Sequence, residues 1–233
     1  MQGSTLVYLV ESGAFGEWPG RGWYEASIGG LLRRAHAAFL AWRKSHGLQC
    51  SQPRFTPARL NRRSRLSYPS LSAKAAASKM LTFWLAAMAQ TWAQRDGATA
   101  LDKTVFHCVR TYAELLRLLD VSPLLLSEAE AGAFYAWGMK HLRFYAYLHR
   151  ESTARTGSQL MRNSWLLQPK HHFLYHMCRT AKEERINPAW CTLLAAESWV
   201  GSVGKISRTT HRATVSERTL QRYLTLLYFR LRR

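Results

Sequence analysis

The sequence predicts a mainly α-helical fold, an irregular bundle of about seven helices with room for one short strand near the N-terminus. Apolar residues recur at intervals of three and four along most of the 233 residues, whereas runs that alternate apolar and polar residues are scarce. Residues that favour helix caps stand ahead of several of these stripes. Hydrophobic residues make up 47% of the chain and include nine Trp, which is enough apolar surface to form a core.

The N-terminal segment, residues 1–47, contains one ambiguous element and one clear helix. Residues 5–10 form a continuous apolar run, but six residues do not distinguish a buried strand from a buried helix. Ser27 is a candidate N-cap for the next helix, whose inward stripe ends at Trp42 and which Gly47 terminates. Because the apolar run starts so abruptly, we expect the chain to be a fragment of a longer protein.

Residues 48–71 are predicted to be an Arg-rich connector. Three prolines interrupt the segment, and Thr56 followed by Pro57 predicts one short helix within it. The connector has five arginines and no acidic residue, so it is the densest candidate for binding phosphate. These arginines are Arg54, Arg59, Arg62, Arg63 and Arg65.

Residues 72–150 are predicted to be the helical core. Two successive apolar stripes, at 77–92 and 105–119, indicate two largely buried helices. Ser127 and Glu130 form a capping box ahead of a third helix that continues to about residue 150. Helical periodicity explains the positions of the aromatic residues in these stripes, which we therefore assign to the core.

Positive charge is concentrated in two stretches of the chain. The net charge is +19; residues 26–95 hold twelve Lys or Arg and no acid, and residues 203–233 hold eight against Glu217 alone. Arg outnumbers Lys by 25 to 8, and guanidinium binds phosphate in a bidentate manner. The charge predicts nucleic acid rather than an anionic membrane, because no stretch combines a basic face with an unpartnered apolar face. A solvated cationic surface without a ligand is the alternative.

The C-terminal segment, residues 169–233, follows a polar loop at 151–168 and is predicted to be helical with a basic tail. Residues 215–224 resemble the recognition helix of helix-turn-helix regulators, in which exposed polar side chains would enter the major groove. A terminal amphipathic helix capped by Thr214 explains the same residues and is the interpretation we favour. The cations of this region that we expect to contact nucleic acid are Arg218, Arg222, Arg230, Arg232 and Arg233.

Residues 169–178 carry an unusual concentration of three His and one Cys. His172 and His176 are four residues apart and would share one face of a helix, which is a usable spacing for two metal ligands. No Cys-x-x-Cys pair accompanies them, so we favour a structural role for these histidines within a helix and predict no metal site. Lys170 and His171 are further candidates for binding phosphate.

The string Pro169-Lys170-His171-His172-Phe173-Leu174-x-His176 resembles a sequence late in the catalytic domain of cut-and-paste DNA transposases of the CACTA-like group and its relatives. In that family an acidic residue on a helix follows, and Glu197 stands at the matching place. The resemblance implies an RNase H-like nuclease in which three carboxylates, Glu197 among them, hold two divalent metal ions on the scissile phosphate. The two other acids would be Asp residues on strands, and the resemblance therefore implies that they lie upstream of this chain. The acids present here, Asp96, Asp102 and Asp120, fall in or beside predicted helices.

Together with the resemblance, these observations predict a fragment or relict of a transposase-like protein that binds nucleic acid, DNA in the first place. It is expected to contact backbone phosphates, to need no cofactor and to have no catalysis of its own. Two alternatives stay open: a metal-dependent nuclease that uses Glu197 with Mg²⁺, and a helical protein-interaction module. No apolar run approaches the roughly 20 residues that span a bilayer, and a secretory signal is absent. We therefore expect an intracellular protein, nuclear if eukaryotic, with reduced cysteines.

Overall fold

The computed structural model confirms that the fold is mainly α-helical. It describes residues 1–19, 22–154, 163–191, 203–204 and 206–231. Seven α-helices account for most of this part of the chain, in which strands are absent. The helices are α1 (Gln2–Glu11), α2 (Tyr24–Ser45), α3 (Ala75–Ala93), α4 (Ala100–Val121), α5 (Glu128–Thr153), α6 (Pro169–Glu184) and α7 (Val215–Leu231). The chain divides into two compact units, residues 1–187 and 188–233.

The N-terminal apolar run is helical, so the short strand considered for residues 5–10 is wrong. Every residue from Gly3 to Glu11 in α1 is buried, because other elements pack around this helix. A helix that is buried all round has no polar face, and its sequence therefore lacks the helical period. The packing is close: a Cβ on Gly3 would stand 2.6 Å from the carbonyl oxygen of Pro69.

The largest core cluster lies among α1, α2, α3 and the connector and includes Phe106 and Val109 of α4. Trp84 of α3 is fully buried and meets Phe39 of α2 at a ring-centroid distance of 5.4 Å. Phe55 belongs to the connector and packs on the same indole at 5.8 Å. Phe55 and Leu60 are both buried, so the connector contributes directly to the core although it has no helix or strand.

Helices α3, α4, α5 and α6 pack against one another in chain order. Gly138 of α5 lets α6 approach, because a Cβ at this position would stand 2.2 Å from the Sγ atom of Cys178. Asn187 then ties the end of the unit to α4: its Nδ2 donates to the carbonyl oxygens of Leu119, at 3.1 Å, and Ser122, at 2.9 Å. The thiols of Cys50, Cys108 and Cys178 are free.

The helix caps agree only partly with the sequence. The capping box of Ser127 and Glu130 at the start of α5 is confirmed, and an equivalent box of Thr99 and Asp102 begins α4. The expected cap at Ser27 is wrong, because this residue lies buried inside α2, which begins three residues earlier. Among the described helices, none combines the length and the hydrophobicity that a membrane span requires.

The C-terminal unit, residues 188–233, begins with a 3-10 turn at Pro188–Cys191. A second 3-10 turn, Arg212–Thr214, leads directly into α7. Within this unit Thr219 is buried, and its hydroxyl lies 3.5 Å from that of Thr210. The contact joins α7 to the residues just before the second 3-10 turn.

Candidate nucleic-acid interface

The connector follows a turn where a short helix was expected after Thr56 and Pro57. The amide of Leu60 donates to the carbonyl oxygen of Thr56 at 3.0 Å, and the amide of Arg62 donates to that of Pro57 at 2.7 Å. Asn61 adopts the left-handed backbone region, with φ of 50°, and its side chain donates to the carbonyl oxygen of Tyr68. This turn sends successive arginines in different directions.

The five arginines of the connector occupy three environments. Arg54, Arg59 and Arg63 are exposed, Arg65 is half-buried, and Arg62 is fully buried. The density of cations in the sequence therefore overstates the number that a ligand can reach.

Arg62 binds groups of the protein itself. Its Nη2 atom pairs with Oε1 of Glu11 at 3.4 Å, and neither side chain has any exposed surface. Its Nε donates to the hydroxyl of Tyr24 at 3.0 Å, and its Nη1 donates to the carbonyl oxygens of Arg65 and Ser67, both at 2.6 Å. The prediction that Arg62 contacts phosphate is thus wrong, because its guanidinium is buried and holds the connector against α1 and α2.

Glu11 completes this buried network from the end of α1. Burial raises the pKa of its carboxyl above the ordinary value, although the hydrogen bond from Tyr24 and the charge of Arg62 act in the opposite direction. The hydroxyl of Tyr24 donates to Glu11 and accepts from Arg62, so it links the two charged groups. The three side chains form one hydrogen-bonded unit beneath the connector.

A first groove on the connector side contains Arg59 and Lys74, and we call it the Arg59–Lys74 groove. Its volume is about 420 Å³. Both cations are exposed, and Ser51 and Ser72 add hydroxyl groups to its wall. No acidic residue is among the described residues that line it. Two cations with neighbouring hydroxyl donors are a suitable environment for a phosphate group.

A second and larger groove holds stacked aromatic rings, and we call it the Trp18–Arg65 cleft. Its volume is about 860 Å³. The rings of Trp18 and Tyr24 stack with centroids 5.6 Å apart, and the Cζ of Arg65 lies 5.2 Å and 5.5 Å from these two centroids. Arg63 also lines the cleft and meets Glu25 at 3.8 Å, but with 71% and 54% of these side chains exposed the ion pair is weak.

The aromatic residues of this surface were not predicted from the sequence. Trp23 lines the cleft with 88% of its surface exposed. Trp18 and Trp23 stand in a stretch rich in Gly and Pro between α1 and α2, outside any helical stripe. That position was the available signal, since helical periodicity explained most of the other tryptophans but not these. Lys74 was missed as well, because only the folded chain brings it next to Arg59.

Most cations of residues 26–95 lack a carboxylate partner. Four of the twelve form ion pairs with acids, namely Arg62, Arg63, Lys79 and Arg95. Across the residues that the structure describes, the other eight have no ion pair to a carboxylate. These eight are Arg33, Arg34, Arg43, Lys44, Arg54, Arg59, Arg65 and Lys74.

Lys170 and His171 lie at the start of α6 and line a separate cavity of about 480 Å³. Lys170 is exposed. The Nδ1 atom of His171 accepts a hydrogen bond from the backbone amide of Gln168 at 2.9 Å. The imidazole ring of His171 packs on the ring of Tyr145 at a centroid distance of 4.1 Å. Burial lowers the pKa of His171, so the imidazole is neutral at neutral pH. His171 therefore caps α6 and offers phosphate no positive charge.

His172 and His176 share one exposed face of α6, as their spacing predicts. Their Nε2 atoms lie 3.0 Å apart. Cys178 points away from this face and is buried against Gly138. In the described ranges, no group of three or more His, Cys, Asp or Glu side chains is arranged to hold a metal ion.

The acidic residues relevant to the nuclease alternative do not form a site in the described structure. Glu197 lies outside the described residues. Asp102 caps α4, accepts from the Tyr8 hydroxyl at 2.9 Å and pairs with Arg95 at 3.0 Å. Burial opposes ionisation of Asp102, but the hydrogen bonds from Thr99, Tyr8 and Arg95 together outweigh it and lower the pKa of this carboxyl. Asp120 pairs with Lys79 across α3 and α4.

The C-terminal unit presents a second group of cations. Arg218 and Arg222 are exposed on α7. The Nη1 of Arg222 donates to Oγ1 of Thr209 at 3.0 Å, which fixes part of its guanidinium. The side chain of Arg230 and the whole of residues 232–233, Arg232 and Arg233, lie outside the described residues.

Comparisons with family models, with curated proteins and with solved structures find no match for this chain. Its function is therefore inferred from the charges, contacts and exposed rings described above.

Proposed function

We propose that this chain binds nucleic acid, DNA in the first place, through the exposed cations of the connector and the residue before α3. The observation that carries the proposal is that eight of the twelve cations of residues 26–95 have no carboxylate partner in the described structure. Cationic side chains without a carboxylate partner can replace the counterions of a phosphate backbone. The resemblance of residues 169–176 to CACTA-like transposases is what favours DNA.

The phosphate contacts are assigned to the part of the connector that faces solvent. Arg59 and Lys74 would hold one phosphate in their groove, and Arg54 and Arg63 would contact neighbouring ones. Arg218 would add a contact from the C-terminal unit. Contacts of this kind position a strand without reading its bases, and catalysis is not part of the proposal.

The salt dependence of DNA binding tests this proposal. Fluorescence anisotropy with a labelled duplex would measure the dissociation constant at several salt concentrations for the wild type and for the variant Arg54→Ala, Arg59→Ala, Lys74→Ala. Each phosphate that is no longer neutralised lowers the slope of log affinity against log salt by about 0.9. The variant loses two phosphates, the one shared by Arg59 and Lys74 and the one held by Arg54, so its slope should fall by about 1.8. Arg62 is left intact, because its removal would disturb folding rather than binding.

A charge-matched variant is the control. Lys103→Ala, Arg110→Ala, Lys140→Ala removes three exposed cations from α4 and α5 and changes the net charge by the same amount. We expect this variant to keep the wild-type slope. A flat salt response of the wild type, or equal losses in both variants, would contradict a phosphate-binding connector.

A further inference from the structure

The Trp18–Arg65 cleft combines two properties that a phosphate-binding surface does not need. It contains a preformed stack in which Arg65 lies against the rings of Trp18 and Tyr24. It also contains Trp23, whose indole is 88% exposed although it is one of the most apolar side chains. An aromatic face left in water beside cations is the arrangement on which proteins stack nucleic-acid bases.

We propose that this cleft binds an unpaired base, and hence that the protein prefers single-stranded nucleic acid to duplex. Trp23 supplies the face on which the base stacks, and Arg63 contacts the adjoining phosphate. The inference rests on the proposed function and adds to it the class of strand that is bound. The volume of the cleft, about 860 Å³, is within the range of about 300–1,000 Å³ that is usual for ligand sites.

The charges of the cleft favour a nucleic acid over an acidic or apolar peptide. Arg63 and Arg65 face a single acid, Glu25, so the described lining has a net positive charge. An aromatic wall suits flat bases, and the arginines suit the phosphates that accompany them. In a duplex the faces of the bases are stacked on each other, so only an unpaired base can present a face to Trp23.

The experiment compares Trp23→Ala with Trp190→Ala. Trp190 is the matched control because it is also exposed, at 67%, and lies in the C-terminal unit. Fluorescence anisotropy would measure the affinity of each variant for labelled oligo(dT), for a duplex of equal length and for labelled dTMP. Circular dichroism would establish that both variants keep the wild-type helix content, as expected for exposed side chains.

We expect Trp23→Ala to bind oligo(dT) about 5- to 150-fold more weakly than the wild type, the effect of losing one stacked base. Its duplex affinity and its salt slope should stay unchanged, since stacking releases no counterion, and Trp190→Ala should behave as the wild type. Unchanged oligo(dT) binding by Trp23→Ala, with duplex binding retained, would overturn this inference alone. Binding of dTMP as tight as that of oligo(dT) would also overturn it, because the cleft would then be a nucleotide site. Binding of neither polymer would overturn the proposed function as well.

Discussion

Replacing Arg62 with Met tests whether a buried cation fastens the connector to the core. The substitution leaves Glu11 buried without its charged partner, and it removes the donors for the carbonyl oxygens of Arg65 and Ser67. Breaking a buried ion pair costs about 3–5 kcal/mol, and leaving the two carbonyl oxygens, which belong to half-buried residues, without this donor costs at least about 1 kcal/mol more in total. We therefore expect the free energy of unfolding to fall by at least about 4 kcal/mol, a large part of the 5–15 kcal/mol that is typical of a folded protein.

Urea unfolding followed by far-UV circular dichroism measures this loss, and thermal unfolding should show a midpoint lower by about 8–16 °C. Arg63→Met is the matched control, because this neighbour is exposed and its ion pair with Glu25 spans 3.8 Å. We expect the control to lose no more than about 1 kcal/mol. Equal losses in the two variants would refute the view that Arg62 has a structural role that Arg63 lacks.

The double variant Glu11→Met, Arg62→Met separates the ion pair from the rest of the network. With both charges replaced by apolar side chains, no isolated charge stays buried, so the double variant should be more stable than Arg62→Met alone. The hydroxyl of Tyr24 and the two carbonyls would still lack partners. A double variant less stable than the single one would mean that Glu11 stabilises the fold independently of Arg62.

Two further predictions concern α5. Gly138→Ala should destabilise the protein by about 1–3 kcal/mol, because the new Cβ would stand 2.2 Å from Sγ of Cys178. Gly132→Ala should instead stabilise it by about 0.5–1 kcal/mol, because nothing lies within 4 Å of the new Cβ. Thermal unfolding that ranks the two variants in the opposite order would contradict this description of the packing. His141 is buried, its Nδ1 donates to the carbonyl oxygen of Cys108 at 2.9 Å, and burial lowers its pKa to about 4. In the unfolded chain this imidazole has its ordinary pKa of about 6.5, so between pH 6.5 and pH 4 it binds a proton that the native state does not bind. The free energy of unfolding should therefore fall by about 3 kcal/mol from pH 6.5 to pH 4. Urea titrations across this pH range should show a smaller fall for His141→Gln, and an undiminished fall would assign the pH dependence to other groups.

The sequence predicted the amphipathic helices well because one face of each is apolar and the other is polar. Helices α2 to α5 bury one stripe and expose the opposite side, so apolar residues recur at helical spacing in their sequences. Helix α1 is surrounded on all sides, so its residues are apolar throughout and the period is lost. The same burial that makes α1 central to the core made it resemble a strand.

The candidate site was predicted only at the level of a segment. Counting charges identified the connector, but Arg62 and Arg63 are neighbours of the same type, and one is buried while the other is exposed. The difference arises from the turn at Asn61 and from Glu11, which is 51 positions away in the chain. A partner at such a distance leaves no local pattern, so residue counting could not have separated the two arginines.

The hydrogen-bonded network of Glu11, Tyr24 and Arg62 also affects the free energy with which the connector would bind a ligand. A surface segment of this length without helix or strand ordinarily samples many conformations, and ordering it on binding would reduce the affinity. Here Phe55 and Leu60 are embedded in the core, and Arg62 donates to the carbonyl oxygens of Arg65 and Ser67, which follow the turn, so we expect the backbone that carries the exposed cations to be rigid. A nucleic-acid strand would therefore bind a preorganised surface. The conformational entropy of the connector is lost when the protein folds, so it does not reduce the affinity of binding.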